Sequence, residues 1–166
     1  MLFNSFIFWF FFVVVIIFYY NLKHSKQNIL LLIASYIFYA SWDWRFLSLI
    51  LFSTFVDFII GKKIFLSANT HHKKSYLIIS IVLNLGILGV FKYFNFFINE
   101  LSSFIQWLGY TFNPSLIHIV LPVGISFYTF QTMSYTIDIY RGDTKPIKSI
   151  INFALYVAYF PQLVAG

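Results

Sequence analysis

The feature that most constrains this chain is the way its apolar residues form long runs, with the charged residues confined to short stretches between them. Hydrophobic residues make up 60% of the 166 residues and charged residues only 10%, whereas a soluble domain carries about 25% charged residues. Apolar runs of spanning length separated by polar loops are what a bilayer requires. The sequence therefore predicts an all-α, polytopic transmembrane helical bundle that forms a single domain over residues 1–166.

About five or six membrane segments are predicted, over residues 5–22, 29–41, 46–60, 76–98, 117–139 and 150–166. The second and third are short and only residues 42–45 separate them, so either both span or the pair forms a re-entrant hairpin. An apolar stretch at residues 101–108 is predicted to lie in the membrane interface. Pro122 and Gly124 predict an irregular or kinked start for the fifth segment.

The basic residues indicate the orientation of these segments. The loops 21–28, 61–75 and 140–149 hold nine Lys and Arg residues, whereas the loops of the other side hold Arg45 alone. Basic loops are retained in the cytoplasm, so a plasma-membrane protein with an external N-terminus is predicted. The net charge of +6 is explained by these loops, and nucleic-acid binding is not predicted.

Polar residues inside the apolar segments recur at helical spacing. Three such sets lie in the third, fourth and fifth segments: Ser53, Thr54, Asp57 and Gly61; Asn84, Lys92, Asn95 and Asn99; Gln131, Ser134, Asp138 and Arg141. One interpretation is helix packing through small residues and amides, with Lys92 reaching toward an interface and Asp138 paired with Arg141. The other is a polar pocket for a charged substrate or cofactor.

Classical catalytic and metal-binding patterns are not evident. The chain has no cysteine, and His71 and His72 stand in a basic loop without a third ligand nearby, so no metal site is predicted. His118 lies near the start of the fifth segment, but no Asp or Ser is placed beside it by spacing. We therefore do not predict that it is a catalytic base.

Three motifs of the second half are recognisable in order. Residues 121–131 read LPVGISFYTFQ, residues 138–142 read DIYRG and residues 160–166 read FPQLVAG. Together with Asp57 and Gly61, they resemble the membrane-bound O-acyltransferase family, most closely its alginate O-acetyltransferase branch. The D-alanyl transfer protein of teichoic acid synthesis is a more distant cousin. Pro122, Gly124, Asp57, Pro161 and Gln162 are then expected to be structural motif residues of a partial fold of that family.

The resemblance implies an enzyme that transfers an acyl group, most often acetyl, from a cytoplasmic donor such as acetyl-CoA or an acyl carrier. The acceptor would be a hydroxyl of an extracytoplasmic polysaccharide such as alginate, and the partners would include the bilayer and periplasmic or surface acetyltransferase proteins. No covalently bound cofactor is expected. Family members run to several hundred residues with a catalytic His in their later half. We therefore expect this chain to be the N-terminal portion of such an enzyme, with that His beyond Gly166 and with no activity alone.

Within the family's general mechanism, Gln131, Ser134, Asp138 and Arg141 are the candidates for binding the anionic donor. Offsets of three, seven and ten residues from Gln131 return to nearly one helix face, which we expect to point into the bundle. Two alternatives are kept: a non-catalytic membrane scaffold or assembly subunit of an export or modification complex, and a small transporter with polar residues between broken helices.

Overall fold

The computed structural model describes residues 5–110 and 120–165, with side chains as far as residue 162. Within these residues all regular secondary structure is helical, so the all-α prediction is confirmed. The helices are α1 (Phe6–Asn21), α2 (His24–Leu66), α3 (Thr70–Trp107), α4 (Ile125–Arg141), α5 (Ile150–Ala158) and α6 (Phe160–Ala165). The number of segments that span a membrane stays a prediction.

The connection predicted at residues 42–45 is a sharp kink inside α2. At Asp43 the backbone leaves the helical region, with φ −158° and ψ 111°. The Asp43 carboxylate accepts a hydrogen bond from the Arg45 amide at 3.0 Å and from the Arg45 guanidinium at 2.7 Å. Because an Asp that accepts from the amide two residues on acts as a helix N-cap, Asp43 separates α2 into two helical halves. Both halves extend beyond the predicted segments, since α2 begins at His24 and ends at Leu66.

Helix α3 is longer than the predicted segment 76–98. It begins at Thr70, where the Asn69 side chain accepts a hydrogen bond from the His71 amide at 2.8 Å, and it ends at Trp107. The separate stretch predicted at residues 101–108 is therefore the last part of α3. No Gly or Pro occurs between Gly89 and Gly109, so nothing in the sequence interrupts the helical hydrogen bonding there.

In the described part of the chain, α3 is the helix that is long and apolar enough to cross a membrane. Only 17% of its most apolar 18-residue stretch is buried, which distinguishes it from the core helix of a soluble domain. Helix α1 is shorter but also apolar, and large apolar side chains are exposed along it and along α2. Examples are Phe10, Ile17, Phe52 and Phe55. Apolar side chains are thus displayed outward while a set of polar ones is buried.

The second half of α2, α3 and α4 pack side by side in alternating directions. Residue 53 of α2 meets residue 84 of α3, and residue 57 meets residue 80, which makes these two helices antiparallel. Residues 132 and 136 of α4 meet residues 84 and 80 in the same way. The apolar core beside them includes Ile50, Ile64, Tyr128 and Phe153.

Close approach of α2 and α4 depends on Gly61. A Cβ atom at this position would lie 2.8 Å from Tyr135 Cε1 and 3.0 Å from Ile139 Cδ1. Only a residue without a side chain lets the two helices meet here. Gly61, the last residue of the polar set predicted in the third segment, therefore serves helix packing.

The fifth predicted segment has the irregular start that was expected. Residues 111–119, which include His118, lie outside the described residues. Pro122 is buried, and Gly124 adopts φ +74°, a conformation that favours glycine, immediately before α4 begins at Ile125. The hydroxyl of Tyr39 donates to the Val123 carbonyl at 3.0 Å and fixes this turn against α2.

The sixth predicted segment is two helices instead of one. Helix α5 ends at Ala158, and α6 begins at Phe160 after the non-helical Tyr159. Pro161 explains the break because it has no amide hydrogen to continue α5. The Phe160 amide donates instead to Ser35 Oγ of α2 at 3.2 Å. Pro161 is half-buried and Gln162 is exposed, so Pro161 acts here on the backbone.

Candidate functional site

A network of buried polar side chains joins α2, α3 and α4 around Asp57, which is 0% exposed. One carboxylate oxygen accepts a hydrogen bond from the Ser80 hydroxyl at 2.6 Å, and the other accepts from the Asn84 amide at 2.7 Å. The Ser80 hydroxyl also lies 3.1 Å from that of Thr136. All four side chains are almost fully enclosed, so α3 supplies the two donors to the carboxylate of α2, and α4 joins the network through Thr136.

Asn84 connects this level of the network to a second level one helical turn away. Its side-chain oxygen accepts from Ser53 Oγ at 2.9 Å and from Thr132 Oγ1 at 3.2 Å. Its amide nitrogen donates to the Ser80 carbonyl at 3.0 Å in addition to Asp57. The hydrogen-bonding capacity of the Asn84 side chain is therefore fully used inside the protein.

The network is suited to fixing the helices and does not present a reactive group. Both oxygens of Asp57 accept hydrogen bonds from protein side chains. In the described residues the one ion pair is Arg45–Asp43, so Asp57 is stabilised by neutral donors. Buried polar groups that are satisfied by each other hold a unique packing, and removing one partner leaves the rest unsatisfied. The helix-packing interpretation of Ser53 and Asn84 is supported by this geometry.

Sequence reasoning identified Ser53, Asp57 and Asn84 but missed their partners. Ser80, Thr132 and Thr136 are the residues that complete the network. Thr132 and Thr136 are four residues apart, a spacing that places both on one helix face. That signal was present, but Ser and Thr are common in helices and the spacing alone does not identify their partner.

The four residues predicted to share an inward face of α4 do not do so in the described part of the chain. Gln131 is 8% exposed, and its amide donates to the Tyr156 carbonyl of α5 at 2.7 Å. Ser134 and Arg141 are exposed, and Asp138 is half-buried. The inward orientation is therefore correct for Gln131 and wrong for Ser134 and Arg141, because the threonine face of α4 is the one that packs on α3. Whether the four bind a donor stays a prediction.

The ion pair considered for Asp138 and Arg141 is also absent between these two residues, since Asp43 and Arg45 form the pair that the described residues contain. Lys92 is exposed, with its ammonium 3.5 Å from Ser126 Oγ and 5.6 Å from the centre of the Tyr93 ring; that it reaches toward a membrane interface stays a prediction. His71 and His72 are exposed as well. No group of three potential metal ligands occurs among residues 5–110 and 120–165.

Electrostatics outside the apolar segments are dominated by the kink in α2. Hydrogen bonds from the Arg45 side chain lower the pKa of the Asp43 carboxyl below its usual value, with its backbone amide and its charge adding to the effect. Trp42 and Trp44 stand on either side of Asp43 in the chain and are exposed. An ionised cap is thus maintained at the point where α2 changes direction.

Comparison with curated proteins gives relatives that match this chain along all of its residues. The chain is 44% identical to the probable alginate O-acetylase of Pseudomonas aeruginosa and 41% identical to that of Pseudomonas syringae, with all of this chain and 32% of each relative covered. The resemblance to the alginate O-acetyltransferase branch of the membrane-bound O-acyltransferases is confirmed. A peptidoglycan O-acetyltransferase of Helicobacter pylori is 29% identical over all of this chain and 36% of its own length.

This O-acetylase-like chain spans about a third of the length of the relatives it matches. No family model matches it, and no solved structure matches it either. The matched third includes the Asp57 network and α4, so both belong to the part that is shared with the O-acetylases.

Proposed function

We propose that the protein to which this chain corresponds transfers an acetyl group from an acyl donor to a hydroxyl of a polysaccharide outside the cytoplasm. The observation that carries the proposal is the identity of 44% along the entire chain to a probable alginate O-acetylase. The peptidoglycan O-acetyltransferase among the relatives supports O-acetyl transfer to a glycan more broadly than transfer to alginate alone. Acetyl-CoA or an acyl carrier is the donor, and periplasmic or surface acetyltransferase proteins are its proposed partners.

The chemistry of such a transfer needs two elements. A general base must remove the proton of the acceptor hydroxyl as it attacks the thioester carbonyl, and the proton passes to the leaving thiolate as the C–S bond breaks. Hydrogen-bond donors must stabilise the oxyanion of the tetrahedral intermediate. The match to this chain covers about a third of each relative. We propose that the base is a His in a part of the protein that corresponds to the other two thirds of the relatives. The present residues would supply the scaffold and, through Gln131, Ser134, Asp138 and Arg141, part of the donor side.

An assay of acetyl transfer tests this division. Membranes that contain the 166-residue chain alone are given a labelled acetyl donor and alginate, and alkali-labile acetyl ester is measured. We expect the 166-residue chain to form no more acetyl ester than control membranes that lack it. A protein of the relatives' full length that contains the same residues should form the ester. Turnover by the 166-residue chain that His118→Ala abolishes would contradict the proposal, because the base would then lie in this chain.

A plasma-membrane location with several spanning segments is part of the proposal. Exposed apolar side chains and a buried polar network are the arrangement that lipid favours. The basic loops at residues 61–75 and 140–149 are assigned to the cytoplasm. Because the chain has no cysteine, single cysteines at Asn69 and Tyr110 can be labelled from outside intact cells. Labelling at Tyr110 and not at Asn69 is expected, and the reverse would overturn the orientation.

A non-catalytic scaffold is the second candidate, and one observation favours it. The polar side chains at the centre of the described helices form hydrogen bonds with each other, and these bonds use both oxygens of Asp57 and the side-chain amide of Asn84. The two candidates differ in whether a protein of the relatives' full length forms acetyl ester by itself. Membranes that contain such a protein should form ester if it is the transferase and none if it is a scaffold. An unchanged rate in Arg141→Gln would show that Arg141 is not needed for donor binding.

A further inference from the structure

A cleft with a basic rim lies at the end of α2, away from the Asp57 network. Its volume is about 330 Å³, and it is lined by Lys62, Phe65, Leu66, Lys145, Pro146 and Lys148. We refer to these six residues as the lysine groove. Three residues come from the last turns of α2 and three from the loop that connects α4 to α5.

Packing of buried residues brings the two sides of the lysine groove together. The Tyr135 ring lies against Gly61, and its hydroxyl accepts a hydrogen bond from the Ile147 amide at 3.2 Å. Ile147 stands between the loop residues that line the groove, so this bond fixes the loop beside α2. On the α2 side, the Lys62 ammonium lies 4.0 Å from the centre of the Phe58 ring, which holds it by a cation–π contact.

The three lysines of the groove concentrate positive charge. The one ion pair of the described residues joins Arg45 to Asp43, so no carboxylate in that part of the chain pairs with Lys62, Lys145 or Lys148. Ammonium groups bind phosphate strongly because each offers three charged donors. A phosphate group is therefore the chemistry that this rim fits.

The other lining residues decide which kind of phosphate compound fits. Phe65 is 48% exposed and Leu66 is 79% exposed, and Pro146 adds a further apolar wall. None of the six residues has a side-chain acceptor for a hydrogen bond. A nucleotide brings amino and hydroxyl donors that would find no acceptor here. A phospholipid brings a phosphate and an apolar chain, and both parts are complemented.

We propose that the lysine groove binds one anionic phospholipid of the cytoplasmic leaflet, with its phosphate on the three lysines and an acyl chain along Phe65 and Leu66. Basic pockets between helices on the cytoplasmic side of a membrane are suited to anionic headgroups. The inference rests on the membrane location proposed above and is independent of acetyl transfer. Its role is to anchor the loop between α4 and α5, beside which Arg141 lies.

Native mass spectrometry of the detergent-purified chain tests the groove. The protein is mixed with equal amounts of phosphatidylglycerol and phosphatidylcholine, and the bound lipid is counted. The variant Lys62→Gln/Lys145→Gln/Lys148→Gln is compared with a control that loses the same charge elsewhere, Lys23→Gln/Lys73→Gln/Lys74→Gln. We expect the groove variant to lose about tenfold of its preference for phosphatidylglycerol, and the control to keep it.

Three results would overturn the proposal. An equal loss in both variants would mean that the lipid follows total charge, and an unchanged preference in the groove variant would mean that it binds elsewhere. Displacement of the lipid by acetyl-CoA at concentrations that saturate acetyl transfer would assign the groove to the donor. Carbonate extraction of cell membranes tests the membrane location separately, and the acetyl-ester assay tests the enzymatic proposal. A failure of either is therefore distinguishable from a failure of lipid binding.

Discussion

Helix α4 carries two polar stripes with opposite surroundings. Thr132 and Thr136 are fully buried against Asn84 and Ser80 of α3. Ser134 and Arg141 lie on the exposed side of the same helix. Two residues of helix turn the direction of a side chain by about 200°, so residues 132 and 134 point to nearly opposite sides. One stripe is thus committed to holding helices together, and the other is available to a ligand or another part of the protein.

Polar residues on one helix can thus serve two uses, which their spacing along the sequence does not separate. The hydroxyls of Thr132 and Thr136 lie within hydrogen-bonding distance of Asn84 and Ser80 on α3 and of carbonyls of their own helix, so they need no water. A guanidinium cannot be satisfied in that way and is placed at the helix end. We call Thr132 and Thr136 the inner stripe, and Ser134 and Arg141 the outer stripe. We expect changes in the inner stripe to alter stability and changes in the outer stripe to alter ligand binding.

The largest loss of stability is expected for Asp57→Leu. This change keeps a side chain of similar size but leaves the Ser80 hydroxyl and the Asn84 amide facing an apolar group. Each buried donor without a partner costs about 1–3 kcal/mol, so the free energy of unfolding should fall by about 3 kcal/mol or more. Thermal unfolding in detergent, followed by circular dichroism, measures the effect.

Ser134→Ala is the control for Asp57→Leu on the outer stripe. Its hydroxyl donates only to the Gln131 carbonyl of its own helix at 2.9 Å, so a change within about 0.5 kcal/mol is expected. Equal melting temperatures for Asp57→Leu and the unmodified chain would show that the network does not hold the helices together.

Gly61→Ala should give the second largest loss. The added Cβ atom meets Tyr135 Cε1 at 2.8 Å, and Tyr135 cannot move freely because it packs on Phe153 with ring centres 4.4 Å apart. Overpacking of this kind costs about 1–3 kcal/mol. Gly86→Ala is the matched control, since nothing lies within 4 Å of its added atom.

The control should be stabilised, because alanine is favoured over glycine inside a helix by about 1 kcal/mol. The two substitutions are chemically identical, so the difference between them isolates the contact of α2 with α4. Similar melting temperatures for both variants would contradict the close packing at Gly61.

Much of this architecture could be predicted because it depends on local patterns. The break at residues 42–45 and the irregular start before Ile125 follow from the residues themselves, as Asp43 caps a helix and Pro122 and Gly124 cannot continue one. The partners of Asp57 could not be predicted in the same way. Ser80 is 23 residues away and Thr136 is 79 away in the chain, and which helices become neighbours is decided by packing of the whole bundle.

The orientation of α4 also could not be predicted from local patterns. The spacing of Gln131, Ser134, Asp138 and Arg141 predicts one helix face, but spacing does not decide whether each residue meets the bundle or its surroundings. The inward face was decided by contacts with α3 and by Gly61, both of them distant in sequence. The donor-binding prediction therefore depends on activity measurements and not on burial.

Lowering the pH is expected to have a smaller effect on stability, through Asp43 at the kink of α2. Because the folded pKa of Asp43 is lowered by Arg45, its contribution to stability is present above the ordinary carboxyl value of about 3.9. It is lost as the pH falls through the lowered value. The exposed Trp42 and Trp44 beside it should report the change as a shift of fluorescence emission below about pH 4.

Asp43→Asn is the control for this titration. Asparagine still caps the helix but cannot be protonated in this range, so the shift should disappear while Trp9 and Trp107 remain as background. A shift that persists in Asp43→Asn would assign the acid response to another carboxyl and would remove the kink from the account of pH dependence.

The smallest change in stability, and the sharpest test of the outer stripe, is expected for Arg141→Gln. Arg141 is exposed and forms no ion pair with Asp138, so the free energy of unfolding should change by no more than about 0.5 kcal/mol. An arginine at this position can bind a phosphate or carboxylate with two hydrogen bonds. Loss of that contact in the longer, active protein should raise KM for the acyl donor about tenfold, which corresponds to about 1.4 kcal/mol. Because the contact would be made equally in the ground state and the transition state, kcat should stay unchanged.

Arg141→Lys should recover part of the affinity, since it keeps the charge without the paired hydrogen bonds. A fall in kcat with no change in KM, or a loss of stability as large as that of Asp57→Leu, would place Arg141 among the structural residues and remove the distinction between the two stripes.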